Sequence, residues 1–158
     1  MTQQWFVVNA RDATWRHNEL GGYCPFEGSG DERFPGLGIN LNVLPPGVPM
    51  TMYHGEADEE AFLVLDGECL LVVEGEEHPM RRWDFFYCPP WTEHAIVGAG
   101  DSPALVLAVG TRGKHGIVYP ANETALKHAA GVETETRSPA EAYARFSKPA
   151  EGPAPDLR

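Results

Sequence analysis

The stretch Ala61-Phe62-Leu63-Val64-Leu65-Asp66-Gly67-Glu68-Cys69-Leu70-Leu71-Val72-Val73-Glu74-Gly75 is two short apolar runs joined by an Asp-Gly pair. Each run has the length of a strand and is too short for a helix. Glycine after aspartate accepts positive φ without steric cost, as a tight hairpin requires. The stretch therefore predicts two antiparallel strands, Ala61–Asp66 and Glu68–Glu74.

The same signature recurs on both sides. Further strands are expected at Ile39–Leu44, Met50–His54, Trp83–Cys88, His94–Val97 and Ala104–Val109. Pro45-Pro46-Gly47, Glu74-Gly75, Pro89-Pro90 and Gly98–Pro103 separate them. No helix-length segment intervenes, so the spacing points to an all-β antiparallel sandwich or barrel. Upstream, Trp5–Asn9 and Ala13–Arg16 are expected strands, and Gly28–Gly36 is a polar loop. Downstream, Asn122 is placed to cap a short helix that Gly131 ends. Ser138-Pro139-Ala140-Glu141 is a capping box with proline at the first helical position, predicting a second helix to about Phe146. The expected organisation is an N-terminal arm with strands (1–38), a barrel core (39–110), a C-terminal extension with short helices (111–146) and a disordered tail (147–158).

The chain has 158 residues, the size of one domain with a core of its own. Its formal charge of −11 opposes binding to nucleic acid or anionic membrane. The longest apolar runs are about six residues, against roughly 20 for a bilayer span. The three cysteines, Cys24, Cys69 and Cys88, form no C-x-x-C pair. A reducing cytoplasm is the expected location, and the first residues show no secretion signal.

Two histidines stand in a suggestive context. In Tyr53-His54-Gly55-Glu56-Ala57-Asp58-Glu59-Glu60, an extended backbone puts His54 and Glu56 on one face. Glu60 opens the next strand, whose inward face would carry Glu60, Phe62 and Val64. Pro89-Pro90-Trp91-Thr92-Glu93-His94 is a rigid turn delivering His94 to a strand start. Imidazoles with carboxylates suit Fe, Mn, Ni, Co or Zn as divalent ions, and such a set leaves positions open for water or substrate. His17, His78, His115 and His128 are expected to be ordinary polar residues. Cys88 is expected to be a small buried hydrophobe at a strand end, with approach to the barrel mouth as the alternative, and Trp91, set next to His94 by the turn, is expected to line a substrate pocket. Tyr53 is a possible base, and Arg81 and Arg82 are expected to decorate a turn.

At these residues the chain resembles the cupin superfamily, of the small single-domain conserved-barrel type. The first cupin motif is Gly, five residues, His-x-His, three or four residues, Glu, six residues, Gly. Glu60 is followed by six residues and Gly67, and the three-residue spacer puts His54 and Glu56 on the two His positions. The alternative register, counted from Gly47, puts Tyr53 and Gly55 there instead. The second motif is Gly, five residues, Pro-x-Gly, two residues, His, three residues, Asn, and Pro89 and His94 match its Pro and His. Glu56, Trp83, Trp91 and Gly98 depart from the motif residues.

The resemblance implies a double-stranded β-helix (a jelly-roll barrel) with a divalent transition metal held by His54, Glu56, Glu60 and His94. It further implies a small-molecule substrate or ligand in the barrel mouth, and dioxygenase, isomerase or decarboxylase chemistry. A non-enzymatic, even metal-free, small-molecule or sugar binder is the alternative. A homodimer is expected, with the Trp5–Asn9 strand adding to the sheet edge of a second copy.

Overall fold

The computed structural model describes residues 4–157. The described residues form twelve strands: β1 (Trp15–Asn18), β2 (Gly21–Cys24), β3 (Leu37–Leu44), β4 (Gly55–Glu56), β5 (Glu60–Asp66), β6 (Glu68–Val73), β7 (Glu76–Arg81), β8 (Phe85–Cys88), β9 (His94–Ala99), β10 (Ala104–Thr111), β11 (Ile117–Val118) and β12 (Ala150–Gly152). A seven-stranded sheet runs β12-β1-β2-β3-β10-β5-β8, a three-stranded sheet runs β7-β6-β9, and β11 pairs with β4. Every strand pairing is antiparallel. The fold is the expected all-β double-stranded β-helix, with the core between the two larger sheets.

The Asp66-Gly67 turn joins one sheet to the other, so β5 and β6 do not pair as the expected hairpin: β5 lies between β10 and β8, and β6 between β7 and β9. Gly67 has φ +77, and a Cβ there would stand 2.8 Å from Ala104 Cα. On β5 the period-2 alternation sends Phe62 and Val64 inward, against Leu71, Met80 and Ile96 of the smaller sheet. Each such buried side chain contributes about 1.5–3 kcal/mol.

Several expected elements differ. Met50–His54 is not a strand and touches the sheet only at bridges Pro49–Val97 and His54–His94. The N–H groups of Met52 and Tyr53 donate to the Tyr143 hydroxyl and the Ala130 carbonyl of the C-terminal extension instead of to a neighbouring strand. The 83–88 strand begins at Phe85, because Trp83 takes φ +75 in a turn closed by Asp84 N–H donating to the Arg81 carbonyl, 2.9 Å. Trp5–Asn9 forms no strand. β1, found at Trp15–Asn18 rather than Ala13–Arg16, has both edges occupied by β2 and β12. Within the 28–36 loop, Gly30–Glu32 makes one 3-10 turn.

The C-terminal extension wraps back over the barrel. Asn122 caps α1 (Glu123–Lys127) by accepting from Ala125 N–H, and the helix ends before Gly131, where Ala129 takes φ +57. Ser138 caps α2 (Pro139–Ala142) as expected, but the helix stops short of Phe146. Tyr143, at its C-cap, is drawn into a cluster with Met52 and Tyr119 and accepts a hydrogen bond from Met52 N–H at 3.0 Å. The tail is ordered instead of disordered. Ala150–Gly152 pairs with β1 through backbone groups, which composition does not reveal, and Arg11 donates to the Leu157 carbonyl at 2.8 Å. None of the described helices is long and apolar enough to cross a membrane.

Candidate metal centre

His54 and His94 face one another across the isolated bridge that joins their backbones, with ring centroids 4.8 Å apart. Glu60 opens β5 opposite Cys88 of β8, which brings its carboxylate under both rings. The Nε2 atoms of His54 and His94 lie 3.8 and 3.0 Å from Glu60 Oε2. One donor atom from each of His54, Glu60 and His94 falls within 4.8 Å of the others, a spacing a single ion can bridge. Glu56 Oε2 stands at the edge, 3.9 Å from His54 Nε2, on the face that strand alternation predicts.

The backbone fixes the ring orientation. His54 Nδ1 is 2.7 Å from the Met52 carbonyl and His94 Nδ1 is 3.0 Å from the Thr92 carbonyl. A carbonyl oxygen only accepts, so each Nδ1 carries the proton and each Nε2 presents a lone pair to the cluster. This is the outer-shell arrangement that orients metal-ligating histidines. Both rings are buried, at 5% and 2% exposure. Among the described residues, Glu60 Oε2 is the buried side-chain oxygen that makes no hydrogen bond. Two lone pairs and an unsatisfied carboxylate oxygen therefore converge in a low-dielectric setting. Such a group of donors is costly unless a positive charge joins it.

The titration behaviour follows. Burial lowers the His54 pKa, helped by the charge of His94. For His94, burial opposes the charged form, but contacts with Cys88 and Glu60 outweigh it and raise the pKa to about 10. Without a metal, His94 is thus where a proton would supply the missing positive charge. Burial, then the Glu60 charge, raises Glu56 to about 7.

Other expected participants sort themselves. Cys88 does reach the site, its buried sulfur 3.3 Å from His94 Nδ1. Tyr53 does not serve it, because its hydroxyl accepts from Gly75 N–H at 3.0 Å and donates to Glu93 at 3.3 Å. Trp91 takes φ +65 and sets its indole against Gly116, while its backbone N–H donates to the Glu56 carbonyl at 2.7 Å. Arg82 lies over the exposed Trp83 ring. Phe62 and Phe86 close the inner side of His94, at 5.5 and 5.9 Å. Tyr119, buried and 5.8 Å from His54, was not apparent from the sequence. The apolar run Ile117-Val118-Tyr119 just beyond the barrel was its signal.

Residues 40–110 match the cupin domain family. The chain carries a cupin domain. A stretch of 75 residues of this cupin is 29% identical to a 5-nitrosalicylic acid 1,2-dioxygenase from Bradyrhizobium, covering 48% of this chain and 36% of that enzyme. The matched segments span only 36% and 52% of the curated relatives concerned. Among solved structures, a sugar phosphate isomerase of the cupin superfamily from Silicibacter pomeroyi is 27% identical with TM-score 0.52, covering 69% of this chain and 71% of that one. The polyketide cyclase RemF from Streptomyces resistomycificus shares the fold, with TM-score 0.62 at 14% identity, over 72% of this chain and 84% of that one. Cupins commonly bind transition metals, and the His-Glu-His cluster suits one.

Proposed function

We propose that this cupin is a metal-dependent enzyme acting on a small organic molecule, of the dioxygenase type. The observation that carries the reading is the convergence of two Nε2 lone pairs on the unsatisfied Glu60 oxygen. His54, Glu60 and His94 would hold the ion, with Glu56 as a fourth ligand at the edge. Two histidines and a carboxylate with open positions are the set that non-haem Fe(II) oxygenases use. The likeness to the nitrosalicylate dioxygenase supports the same branch. Bound there, the ion would supply Lewis-acid polarisation and, as iron, redox chemistry toward dioxygen.

The chain's own groups do the rest. Met52 and Thr92 carbonyls hold the rings in register, and Phe62 and Phe86 keep water from the inner side. Where Glu56 does not ligate the ion, its carboxylate at the open edge is the group placed to take a proton from a substrate hydroxyl. A second reading, isomerase or decarboxylase chemistry without dioxygen, is favoured by the likeness to the sugar phosphate isomerase. The three free, buried cysteines fit a reducing compartment such as the cytoplasm. Exposed Trp5 and Val7 suit a homodimer in which the arm packs on a second copy, and a monomer by light scattering at micromolar concentration would contradict this.

Oxygen uptake by protein loaded anaerobically with Fe(II) tests the main reading, over a panel of phenols, salicylates and hydroxy acids. Uptake with at least one compound, lost in His94→Ala, is expected. No uptake across the panel would remove the dioxygenase branch.

A further inference from the structure

A cavity of about 590 Å³ lies away from the metal cluster. Its floor is the inner face of the large sheet, where Asn42 of β3 pairs with Tyr23 of β2. Its roof is the C-terminal segment around Tyr143 and Phe146, so most of its wall comes from outside residues 40–110. None of His54, Glu56, Glu60 or His94 lines it. Two ring contacts lead from it to the cluster: Tyr143 meets Tyr119 edge-on at 5.9 Å, and Tyr119 meets His54 at a tilt at 5.8 Å.

The roof is pinned. Asn18 donates to the Ser147 carbonyl at 3.0 Å, and Ser147 donates to Glu19 through its hydroxyl at 2.6 Å. Arg145 donates to the Ala129 carbonyl at 2.6 Å. A cavity so held is preformed, and its volume is that of drug-sized ligand sites.

The chemistry of the wall selects the ligand. Met50, Tyr143 and Phe146 supply apolar and aromatic surface. Among the described residues the Asn40 side chain makes no hydrogen bond, and the Asn42 side chain makes only a long one, 3.5 Å to the Val106 carbonyl, both backbones being paired in β3. Their amides, which both donate and accept, are available to a guest. The one charged lining residue is Lys148, which is exposed at the rim. An anion seated between Asn40 and Asn42 would be buried without a counter-charge, in a protein of formal charge −11.

We infer that this chamber is a second binding site, for a neutral aromatic molecule bearing hydroxyl or carbonyl groups. Rings pack on Tyr143, Phe146 and Met50, and the substituents exchange hydrogen bonds with Asn40 and Asn42. The site stands whether or not the metal reading holds.

The test titrates metal-depleted protein with 2-naphthol, a neutral two-ring phenol, and with 2-naphthoate, its anionic counterpart, followed by amide NMR shifts. Saturable binding of 2-naphthol is expected, with shifts at Asn40, Asn42 and Tyr143 and about ten-fold weaker binding of 2-naphthoate. Ala144→Trp fills the chamber from an exposed position and is expected to weaken 2-naphthol about ten-fold or more with the melting temperature kept. Ala140→Trp, on the same wall, is the second variant should the first fail to fold. No saturable binding, equal binding of the anion, or full binding in a folded tryptophan variant would overturn the inference. Because no metal is present, these outcomes are independent of any failure of the cluster to hold an ion.

Discussion

The metal cluster and the Asn-lined chamber occupy the same barrel but are made from different parts of the chain. The cluster's donor residues lie between His54 and His94, within the cupin segment, and backbone carbonyls two residues upstream orient both rings. The chamber joins β2 and β3 to residues around Tyr143 and Phe146, more than 100 positions from β3 in sequence. One region is charged, buried and electron-rich; the other is neutral and roomy. The difference teaches that the cupin segment carries the donor cluster, while β2 and the C-terminal wrap build most of the wall of a separate chamber. Tyr119 and Tyr143 are the seam between the two.

The largest expected effect separates barrel from wrap. Phe62→Ala removes a ring packed on both the core and His94, and is expected to cost about 3–5 kcal/mol in urea unfolding. A loss below about 1 kcal/mol would mean the core does not depend on that face. Next is the seam. Tyr143→Phe deprives Met52 N–H of its acceptor, and about 1–3 kcal/mol of stability should go with it. Metal content should stay at the wild-type level, and if it falls, the two regions are one unit.

The smallest effect is a pH dependence confined to the cluster. The Glu56 pKa rises from 4.5 to about 7 on folding, so the native state binds more protons than the unfolded chain between those values. The group's contribution is therefore present below its ordinary pKa and is lost as pH rises through about 7. Metal-depleted protein should melt lower at pH 8 than at pH 6, and bound divalent ion should reduce or reverse that slope. His94, raised to about 10, adds to the slope with the same sign, so an unchanged slope on metal binding would detach both His94 and Glu56 from the ion.

Legibility in the sequence follows the same division. β5 and β6 were plain because apolar runs flank a turn that only glycine fits easily. Glu60 and His94 could be singled out because each opens a strand at the spacing of the cupin motifs, whereas His54, just ahead of β4, rested on a choice of register. β7 was missed, since Glu76-Glu77-His78-Pro79 lies exposed on a sheet edge and shows no apolar alternation. β12 was missed because Ala-Glu-Gly pairs through backbone alone. Trp91 was assigned to the right turn, but neither its φ of +65 nor the seat of its ring against Gly116 could be read locally. Nothing local in the sequence joins Asn40 to Tyr143, so the chamber appears only once the chain has folded.

The central claim is that His54, Glu60 and His94 hold one ion. Elemental analysis after anaerobic Fe(II) loading and desalting tests it most directly. The account predicts about one ion per chain in wild type, most of it kept in Glu56→Gln, and affinity lowered by more than about 100-fold in folded His94→Ala. Equal metal content in wild type and His94→Ala would contradict it.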